Sequence, residues 1–384
     1  MSNEDVAKRR LRIALLVDRF GRKFGGAESY GLELFSILSR HHDVTVIAHD
    51  FDHQLPVQEI CIRASRKWPS WVRICHYAWQ ARKHASSGYD IVHSHMNAGF
   101  GHVQVAHVVP VQYRKLVGKS WHQRLIKWMS PSTAAYLLLE RASFASRPTH
   151  RVVAVSPMIR QQLIECGVNQ AEIPLIPPGV HLHERDVRIR QQLRAQLGWS
   201  DDIVGCLMVA RNPLRKGLQT VLAALEHMPS HFRLLVVGAE QDVRNRLSKL
   251  PASLSQRVVL QAPVTDVNPF YQAADVFVHP TLNDSFGMAP LEAMAHGLPV
   301  VMSGERHCGF AKYCEHEQQA MLLDDPQDAD ALARSILNVM GDAQRRERMI
   351  EQAQKLAASM SWDVVAKAYE SLYAELLRDR KPVD

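Results

Sequence analysis

Two acidic residues, Asp284 and Glu292, are separated by seven residues and bracket the start of a helix-forming segment. A carboxylate can hold the hydroxyl groups of a sugar or a ribose, and backbone N–H groups at a helix start can hold a phosphate. The amides placed to do so belong to Ser285, Phe286, Gly287 and Met288. The pattern therefore predicts a site for a phosphorylated sugar or a nucleotide. An ordinary helix start with two solvated acids has the same spacing and remains the alternative.

Two cations, Arg211 and Lys216, lie in the segment ARNPLRKG directly after an apolar run. Both fall on one loop before a helix that we expect to begin near Leu218. Guanidinium and ammonium groups bind phosphate oxygens, so this loop predicts a second contact to the same anion. Two surface bases that flank a turn are the alternative.

A strand, a loop and a helix must position the acidic pair. Residues 276–278 form a short apolar run that Pro280 ends, residues 288–295 favour a helix, and residues 298–302 are apolar enough for the next buried strand. Such runs alternate with helical segments through both halves of the chain. The predicted fold class is therefore α/β, with two Rossmann-like doubly wound domains. Ligands bind beyond the carboxyl ends of such strands, so we expect the two domains to face each other across a cleft.

The length of 384 residues favours two domains. The PPG sequence at 177–179 marks the exit from the first, which predicts domains over 1–179 and 180–360, followed by an amphipathic helix in 361–384. Residues 69–85 predict another helix, rich in aromatic residues, whose side chains we assign mainly to core packing. They are Trp71, Tyr77 and Trp79.

Composition narrows the class of protein. Hydrophobic residues make up 46% and charged residues 22% of the chain, as in globular proteins. The net charge of +7 suits an anionic partner, but no nucleic-acid recognition motif accompanies it, so we expect no nucleic-acid partner. The six cysteines show no metal or disulfide spacing, and the first residues lack the features of a signal peptide. We therefore expect reduced thiols, no bound metal and a cytoplasmic location.

At Asp284…Glu292 and at ARNPLRKG the chain resembles the retaining glycosyltransferases of family 4, which have the GT-B fold. Their first motif is an acid, seven residues and Glu, here in an Asp version, and their second is Arg-x4-Lys followed by Gly. The resemblance implies that Asp284 lies beside the donor sugar and Glu292 holds the nucleotide ribose. Arg211, Lys216 and the amides of 285–288 would then hold the diphosphate. It further implies that 1–179 binds the acceptor, that 180–360 binds the donor, and that 361–384 crosses back to the first domain.

Three more positions take their roles from this resemblance. Gly25 and Gly26, in the loop GRKFGGAES, match the glycine pair that approaches the donor phosphate or the acceptor; without the family the loop is equally a tight turn. His107, in QVAHVVP, stands at a strand end where the family has a His or an Asp that faces the reacting sugar. A single histidine at a strand end is otherwise more often a structural residue.

Residues 111–151 carry eight Lys and Arg residues against one acid, Glu140. Tryptophans interleave with the bases in KSWHQRLIKWM, as in helices that lie in an anionic membrane surface. A helix packed on its own domain with a solvated basic face is the alternative. Family members that act on lipid-linked acceptors attach to membranes through such a patch, so we expect peripheral contact with the inner face of the cytoplasmic membrane.

Three local matches, LERASF, IPPGV and CGFAKY, are closest to the branch of the family that adds glucose to the lipopolysaccharide core heptose. The resemblance implies a metal-independent retaining transfer from a UDP-sugar to a lipid-linked saccharide, without a cofactor, in lipopolysaccharide or surface-glycan biosynthesis. Two other functions fit the same architecture: a UDP-sugar epimerase, and a sugar-nucleotide-binding protein without turnover. An NAD-dependent oxidoreductase is disfavoured because no GxGxxG follows the first strand.

Overall fold

The structure is a computed structural model that describes residues 9–21, 24, 26–65, 67–241, 243, 245 and 250–379, without the side chains of 26–28. The chain divides into two compact units. The first unit comprises Met1–Gly179 and Trp362–Asp384, and the second comprises Val180–Ser361.

The first unit is built on a parallel sheet. Its described strands are β1 (Arg12–Leu16), β2 (Arg19–Gly21), β3 (Asp43–Ala48), β4 (Asp50–Asp52), β5 (Gln58–Cys61), β6 (Ile91–Ser94), β7 (Val103–Ala106) and β8 (Arg151–Ala154). Six of them form one sheet in the order β5-β3-β1-β6-β7-β8, and β2 pairs with β4. The order reverses between β1 and β6, which makes this sheet doubly wound.

Helices cover this sheet. The described ones are α1 (Gly26–Leu38), α2 (Ser70–Ala85), α3 (Val111–Leu116), α4 (Trp121–Trp128), α5 (Pro131–Ser143), α6 (Pro157–Glu165) and α14 (Trp362–Asp379). Helix α14 packs on α1, where the hydroxyls of Tyr30 and Tyr369 are hydrogen-bonded at 2.8 Å. The last described helix of the chain is therefore part of the first unit.

The second unit repeats the arrangement. Its described strands are β9 (Val204–Val209), β10 (Phe232–Val237), β11 (Val258–Gln261), β12 (Val276–His279), β13 (Val300–Ser303) and β14 (Met321–Leu323). They pair in parallel in the order β11-β10-β9-β12-β13-β14. The reversal of strand order therefore lies between β9 and β12, the two strands that precede the predicted site loops.

The described helices of the second unit are α7 (Val187–Gln196), α8 (Leu218–Glu226), α9 (Ala252–Ser255), α10 (Asn268–Ala273), α11 (Met288–Ala295), α12 (Ala329–Gly341) and α13 (Ala343–Ser359). Strands β12 and β13 are buried at every position, as expected for strands covered on both faces. The prediction of two Rossmann-like doubly wound domains is confirmed in each unit, and so is the helix over 288–295.

The prediction for the aromatic helix α2 is partly wrong. Tyr77 is fully buried, but Trp79 is 63% exposed. The helix buries only the face that carries Tyr77 and three alanines, so a tryptophan two residues along points away from the core. Counting aromatic residues overestimated how much of this helix the core covers.

Candidate functional site

The predicted helix start is formed by Gly287, which precedes α11 with φ +108°. A side chain at this position would strain the backbone and bring its Cβ to 2.7 Å from the Cys308 Sγ. The Phe286 carbonyl accepts hydrogen bonds from the Phe310 N–H at 2.5 Å and from the Cys308 thiol at 3.3 Å. The 3₁₀ turn Gly309–Tyr313 thus holds the start of α11 in place. The first N–H groups of α11 have no acceptors within that helix.

The amides at 285–288 were predicted to contact a phosphate. The Phe286 side chain is 5% exposed and packs against Phe310 and Tyr313, so it belongs to the core. Ser285 and Met288 are partly exposed. Phe286 can therefore serve a ligand only through its main chain.

Lys216 and Asp284 meet in the second unit. The Lys216 Nζ lies 2.5 Å from the Asp284 Oδ2 and 3.5 Å from the Asn283 carbonyl oxygen. The main chain of Asp284 is fixed as well, since its N–H donates to the His307 carbonyl at 2.7 Å and its carbonyl accepts from Gly309 at 3.0 Å. Because the two side chains follow β9 and β12, the ion pair lies at the topological switch point of this sheet, where α/β proteins bind ligands.

The loop that carries Lys216 is held from both sides. The Arg215 carbonyl accepts from the Leu282 N–H at 3.1 Å, and the Asn212 side chain accepts from the Arg215 N–H at 3.2 Å. Gly217 has φ +85°, and a Cβ there would lie 2.0 Å from the Pro280 carbonyl oxygen. The close approach of the two loops thus requires glycine after the lysine. Arg211 is exposed on the same loop.

His279, which the sequence analysis missed, completes this cluster. It is the last residue of β12, it is 1% exposed, and its Nε2 lies 3.0 Å from the Asp284 Oδ2. Burial by itself would raise the pKa of Asp284, but the His279 hydrogen bond and the Lys216 charge outweigh burial and lower that pKa to about 2. Asp284 is therefore ionised at neutral pH. The usable signal was a histidine at the carboxyl end of a buried strand beside the candidate acid.

Glu292 lies on α11 and accepts a hydrogen bond from the Tyr271 hydroxyl at 2.8 Å. Burial raises the pKa of this carboxyl group, and the Tyr271 hydrogen bond lowers it in part. The Tyr271 ring stacks on His296, whose Nδ1 lies 2.7 Å from the Glu292 carbonyl oxygen. The position of Glu292 is thus set from α10, and nothing in the spacing of the sequence pointed to Tyr271.

His107 lies in the first unit, one residue after β7. Its ring contacts Tyr30 and His95 edge to face, with centroid distances of 4.6 and 4.7 Å. Its Nε2 is buried and has no hydrogen-bond partner among the described residues. Burial lowers the pKa of His107 to about 4, so the ring is neutral at physiological pH. The Nε2 of a neutral imidazole in this position can accept one hydrogen bond from a hydroxyl group or donate one to it.

A buried polar chain lies behind His107. His95 contacts His93 through their Nε2 atoms at 3.1 Å, and the His93 Nδ1 lies 2.5 Å from the Tyr373 hydroxyl of α14. Among the described residues, no group of three or more His, Cys, Asp or Glu could hold a metal ion. Gly26 begins α1, and Gly25 lies outside the described residues.

Helix α4 exposes its apolar side chains. Trp121 is 77% exposed, Leu125 58%, Ile126 62% and the following Met129 75%. The helix begins with a capping box of Ser120 and Gln123, so it is a formed helix rather than a loop. Within the described part of the chain, no helix is long and apolar enough to cross a membrane.

Two known protein families match successive parts of this chain. Residues 24–184 match the family Glycosyltransferase Family 4, and residues 189–356 match Glycosyl transferases group 1. A D-inositol 3-phosphate glycosyltransferase of Xylanimonas cellulosilytica is 28% identical over 320 residues, which cover 78% of this chain and 76% of the relative.

Solved structures share the fold at lower identity. WaaG, a glycosyltransferase involved in lipopolysaccharide biosynthesis, superposes with a TM-score of 0.78 at 18% identity, over 93% of this chain and 98% of WaaG. HepE of Anabaena in complex with UDP and glucose superposes with a TM-score of 0.73 at 19% identity, over 94% of this chain and 98% of HepE. At such identities the likeness is one of fold.

Proposed function

The chain belongs to the family 4 glycosyltransferases with the GT-B fold, and we propose that it transfers the sugar of a UDP-sugar, with retention of configuration, to a hydroxyl of a lipid-linked saccharide. The observation that carries the proposal is the Lys216 ammonium, 2.5 Å from Asp284, whose loop leads into α11. A cation and a helix N-terminus at one switch point fit a diphosphate. The complex of HepE with UDP and glucose supports UDP as the nucleotide.

In the proposed reaction the bond from the sugar C1 to the diphosphate oxygen breaks while the acceptor oxygen bonds to C1. Negative charge grows on the leaving diphosphate, and Lys216 and the first amides of α11 stabilise that charge. Arg211, exposed on the same loop, supplies a second cation. The acceptor attacks from the face of the leaving group, whose phosphate oxygen takes the hydroxyl proton. This route requires neither a second catalytic carboxylate nor a metal ion.

Asp284 and Glu292 hold the two ends of the proposed donor. Both described side-chain contacts of Asp284 use Oδ2, which leaves Oδ1 available for a sugar hydroxyl. Glu292, fixed by Tyr271, takes the ribose hydroxyls. His107 and the glycine pair at 25–26 keep the roles that the family resemblance gives them, as contacts to the sugar and the phosphate.

The first test is a thermal-shift comparison of UDP, GDP, ADP and NAD, followed by several UDP-sugars. A ligand at 100 times its dissociation constant stabilises a protein by about 2.7 kcal/mol, which gives a visible shift. Selective stabilisation by UDP is expected. A shift with NAD alone would contradict the proposal. Consumption of a UDP-sugar without an acceptor would indicate an epimerase, and UDP binding without turnover would indicate a binding protein.

Lys216→Ala provides the matched test within the site, with Arg215→Ala as its control. Both changes remove one positive charge from the same loop, but the Arg215 side chain is exposed, whereas Lys216 contacts Asp284. We expect Lys216→Ala to lower kcat by about 100-fold, a typical loss for one electrostatic contact in a transition state. Arg215→Ala should stay within about threefold of wild type, a spread typical of surface changes. Equal losses in the two variants would remove Lys216 from the mechanism.

We also propose that α4 places the enzyme on the inner face of the cytoplasmic membrane, where a lipid-linked acceptor of lipopolysaccharide or surface-glycan biosynthesis is available. The exposed Trp121, Leu125 and Ile126 supply an apolar face, and Lys119, Arg124 and Lys127 supply charge. Such a helix gains both apolar burial and attraction to anionic lipids.

Flotation with vesicles tests the membrane proposal. Wild-type protein should float with phosphatidylglycerol vesicles and much less with phosphatidylcholine vesicles. The triple variant Trp121→Ala, Leu125→Ala, Ile126→Ala should stay in solution. Val187→Ala removes an exposed apolar side chain from the second unit and serves as the control, since it should float like wild type. Flotation of the triple variant would assign membrane contact to another surface.

A further inference from the structure

His279 shares one oxygen atom of Asp284 with Lys216. Its Nε2 lies 3.0 Å from the Asp284 Oδ2, and the Lys216 Nζ lies 2.5 Å from the same atom. The described side chains leave the Asp284 Oδ1 without a hydrogen bond. Two donors on one oxygen fix the rotation of the carboxylate, so the place of its other oxygen is fixed as well.

The protonation state of His279 follows from its two neighbours. Asp284 is ionised and can only accept, so His279 must carry its proton on Nε2. The His279 Nδ1 is buried, and the described residues offer it no partner. A second proton there would be a buried N–H without an acceptor, which costs more than an unused lone pair. The ring is therefore a neutral donor.

The charges around the ring agree with a neutral state. Burial and the positive charge of Lys216 lower the pKa of His279, and Asp284 raises it in part. Cys308, the residue before the 3₁₀ turn, is a neutral thiol because burial and the Asp284 charge raise its pKa to about 12. Asp284 and Lys216 are thus charged groups of the described residues that act on His279.

The backbone beneath the ring is rigid. The Thr281 N–H donates to the His279 carbonyl at 2.7 Å, and the Ser303 hydroxyl of β13 donates to the Thr281 carbonyl at 2.9 Å. The ring itself stacks on Phe277. His279 therefore has little freedom to follow Asp284 if that side chain moves.

We propose that His279 is a positioning residue for the transfer: it anchors Asp284 through Oδ2, so that Oδ1 contacts the donor sugar. The proposal rests on the proposed function. An entering diphosphate competes with Asp284 for the Lys216 ammonium, and the carboxylate then loses part of its only described cation. The neutral His279 has no stronger partner, so its hydrogen bond keeps Asp284 in place while Lys216 turns to the diphosphate.

Two substitutions of similar length separate the hydrogen bond from the shape of the ring. His279→Gln can present an amide N–H near the place of Nε2, whereas His279→Met has no donor. We expect His279→Met to lower kcat about tenfold or more with a donor KM within about threefold of wild type, because the contact acts in the transition state. His279→Gln should restore most of the activity. The acid limb of the kcat profile should move up by about one pH unit in His279→Met, as Asp284 loses a donor.

Equal kcat values and acid limbs for wild type and His279→Met would overturn the proposal. Equal loss in the Gln and Met variants would also overturn it, since shape alone would then matter. A long-range ¹H–¹⁵N spectrum of the wild-type protein, with His279 assigned by its loss in His279→Gln, must show a neutral Nε2–H ring from pH 6 to 8. An Nδ1–H ring or an imidazolium ion would refute the assignment even if His279→Met fails to fold. If the wild type binds no nucleotide and transfers no sugar, the proposed function fails, while this spectrum still tests the Asp284 contact.

Discussion

Asp284→Asn should destabilise the second unit by about 2 kcal/mol at pH 7. Contacts with His279 and Lys216 outweigh burial and lower the pKa of Asp284 from 3.8 to about 2. One pKa unit corresponds to about 1.4 kcal/mol, so a shift of somewhat under two units contributes about 2 kcal/mol to stability at neutral pH. The side chain is 20% exposed, so solvent screening is limited. Asparagine has the shape of the protonated acid and loses this contribution.

The sign of the pH dependence follows from the lowered pKa. A carboxyl group with a depressed folded-state pKa stabilises the protein fully above its unfolded pKa, near pH 4, and loses the effect as the pH falls toward about 2. The stability difference between wild type and Asp284→Asn should therefore be constant from pH 7 to about 5. It should shrink to about half at pH 3.

Trp199 allows the second unit to be observed alone. It is the only tryptophan among residues 180–361 and is 8% exposed. The ¹⁹F resonance of 5-fluorotryptophan at this position, followed in urea, gives the unfolding free energy of the second unit without assuming that both units unfold together. Asp324→Asn, a change at an exposed acid in the same unit, is the control and should leave the midpoint unchanged.

Two results would refute the reasoning. Asp284→Asn with wild-type stability at pH 7 would show that the ion pair and the histidine contribute nothing net. A cost that stays the same at pH 3 would show that it comes from shape rather than charge. In a Lys216→Met background the cost of Asp284→Asn should become smaller, because the cation that favours the carboxylate is gone.

Two further substitutions test the parts of the site that hold it in shape. Gly217→Ala should destabilise the second unit by more than about 2 kcal/mol, since φ is +85° and an added Cβ meets a backbone carbonyl, whereas Gly198→Ala, at φ +65° in open space, should cost about 1 kcal/mol in urea unfolding. Tyr271→Phe should weaken UDP binding about fivefold by calorimetry. On acidification, UDP binding to this variant should also be lost at a higher pH than in wild type, because the Tyr271 hydroxyl lowers the pKa of Glu292. Tyr313→Phe, whose buried hydroxyl has no described partner, should bind UDP like wild type. Equal losses of stability in the two glycine variants would contradict the first prediction, and equal UDP affinities in the two tyrosine variants would contradict the second.

The main-chain part of the site was predictable from local rules. A glycine before an apolar helical segment and a proline in its first turn define the start of α11, and the alternation of strands and helices defines the sheet. Lys216 could be placed on the loop after β9 for the same reason. Its pairing with Asp284 could not, because that contact depends on how closely the loops after β9 and β12 approach, which Gly217 and the Pro280 carbonyl decide.

The residues that support the site were harder to see in the sequence. Tyr271 reaches Glu292 from another helix, twenty-one positions earlier, and such a contact exists only once the helices are packed. The exposure of Trp79 shows the same limit in the opposite direction. Residue type reports an average tendency to be buried, whereas the covered face of a helix is set by its neighbours in the fold.

Helix α14 completes the first unit although the whole second unit intervenes in the chain. The end of the first stretch of this unit, Gly179, lies so close to the start of α14 that a side chain on Gly179 would overlap Trp362. During synthesis the ribosome makes the second unit before α14, so the second unit can fold while the first still lacks Tyr369 and Tyr373. A proteolytic cut at residue 361 would likewise detach this helix from the chain that precedes it. Expressing the first unit alone therefore requires a gene in which residues 180–361 are deleted and α14 follows residue 179.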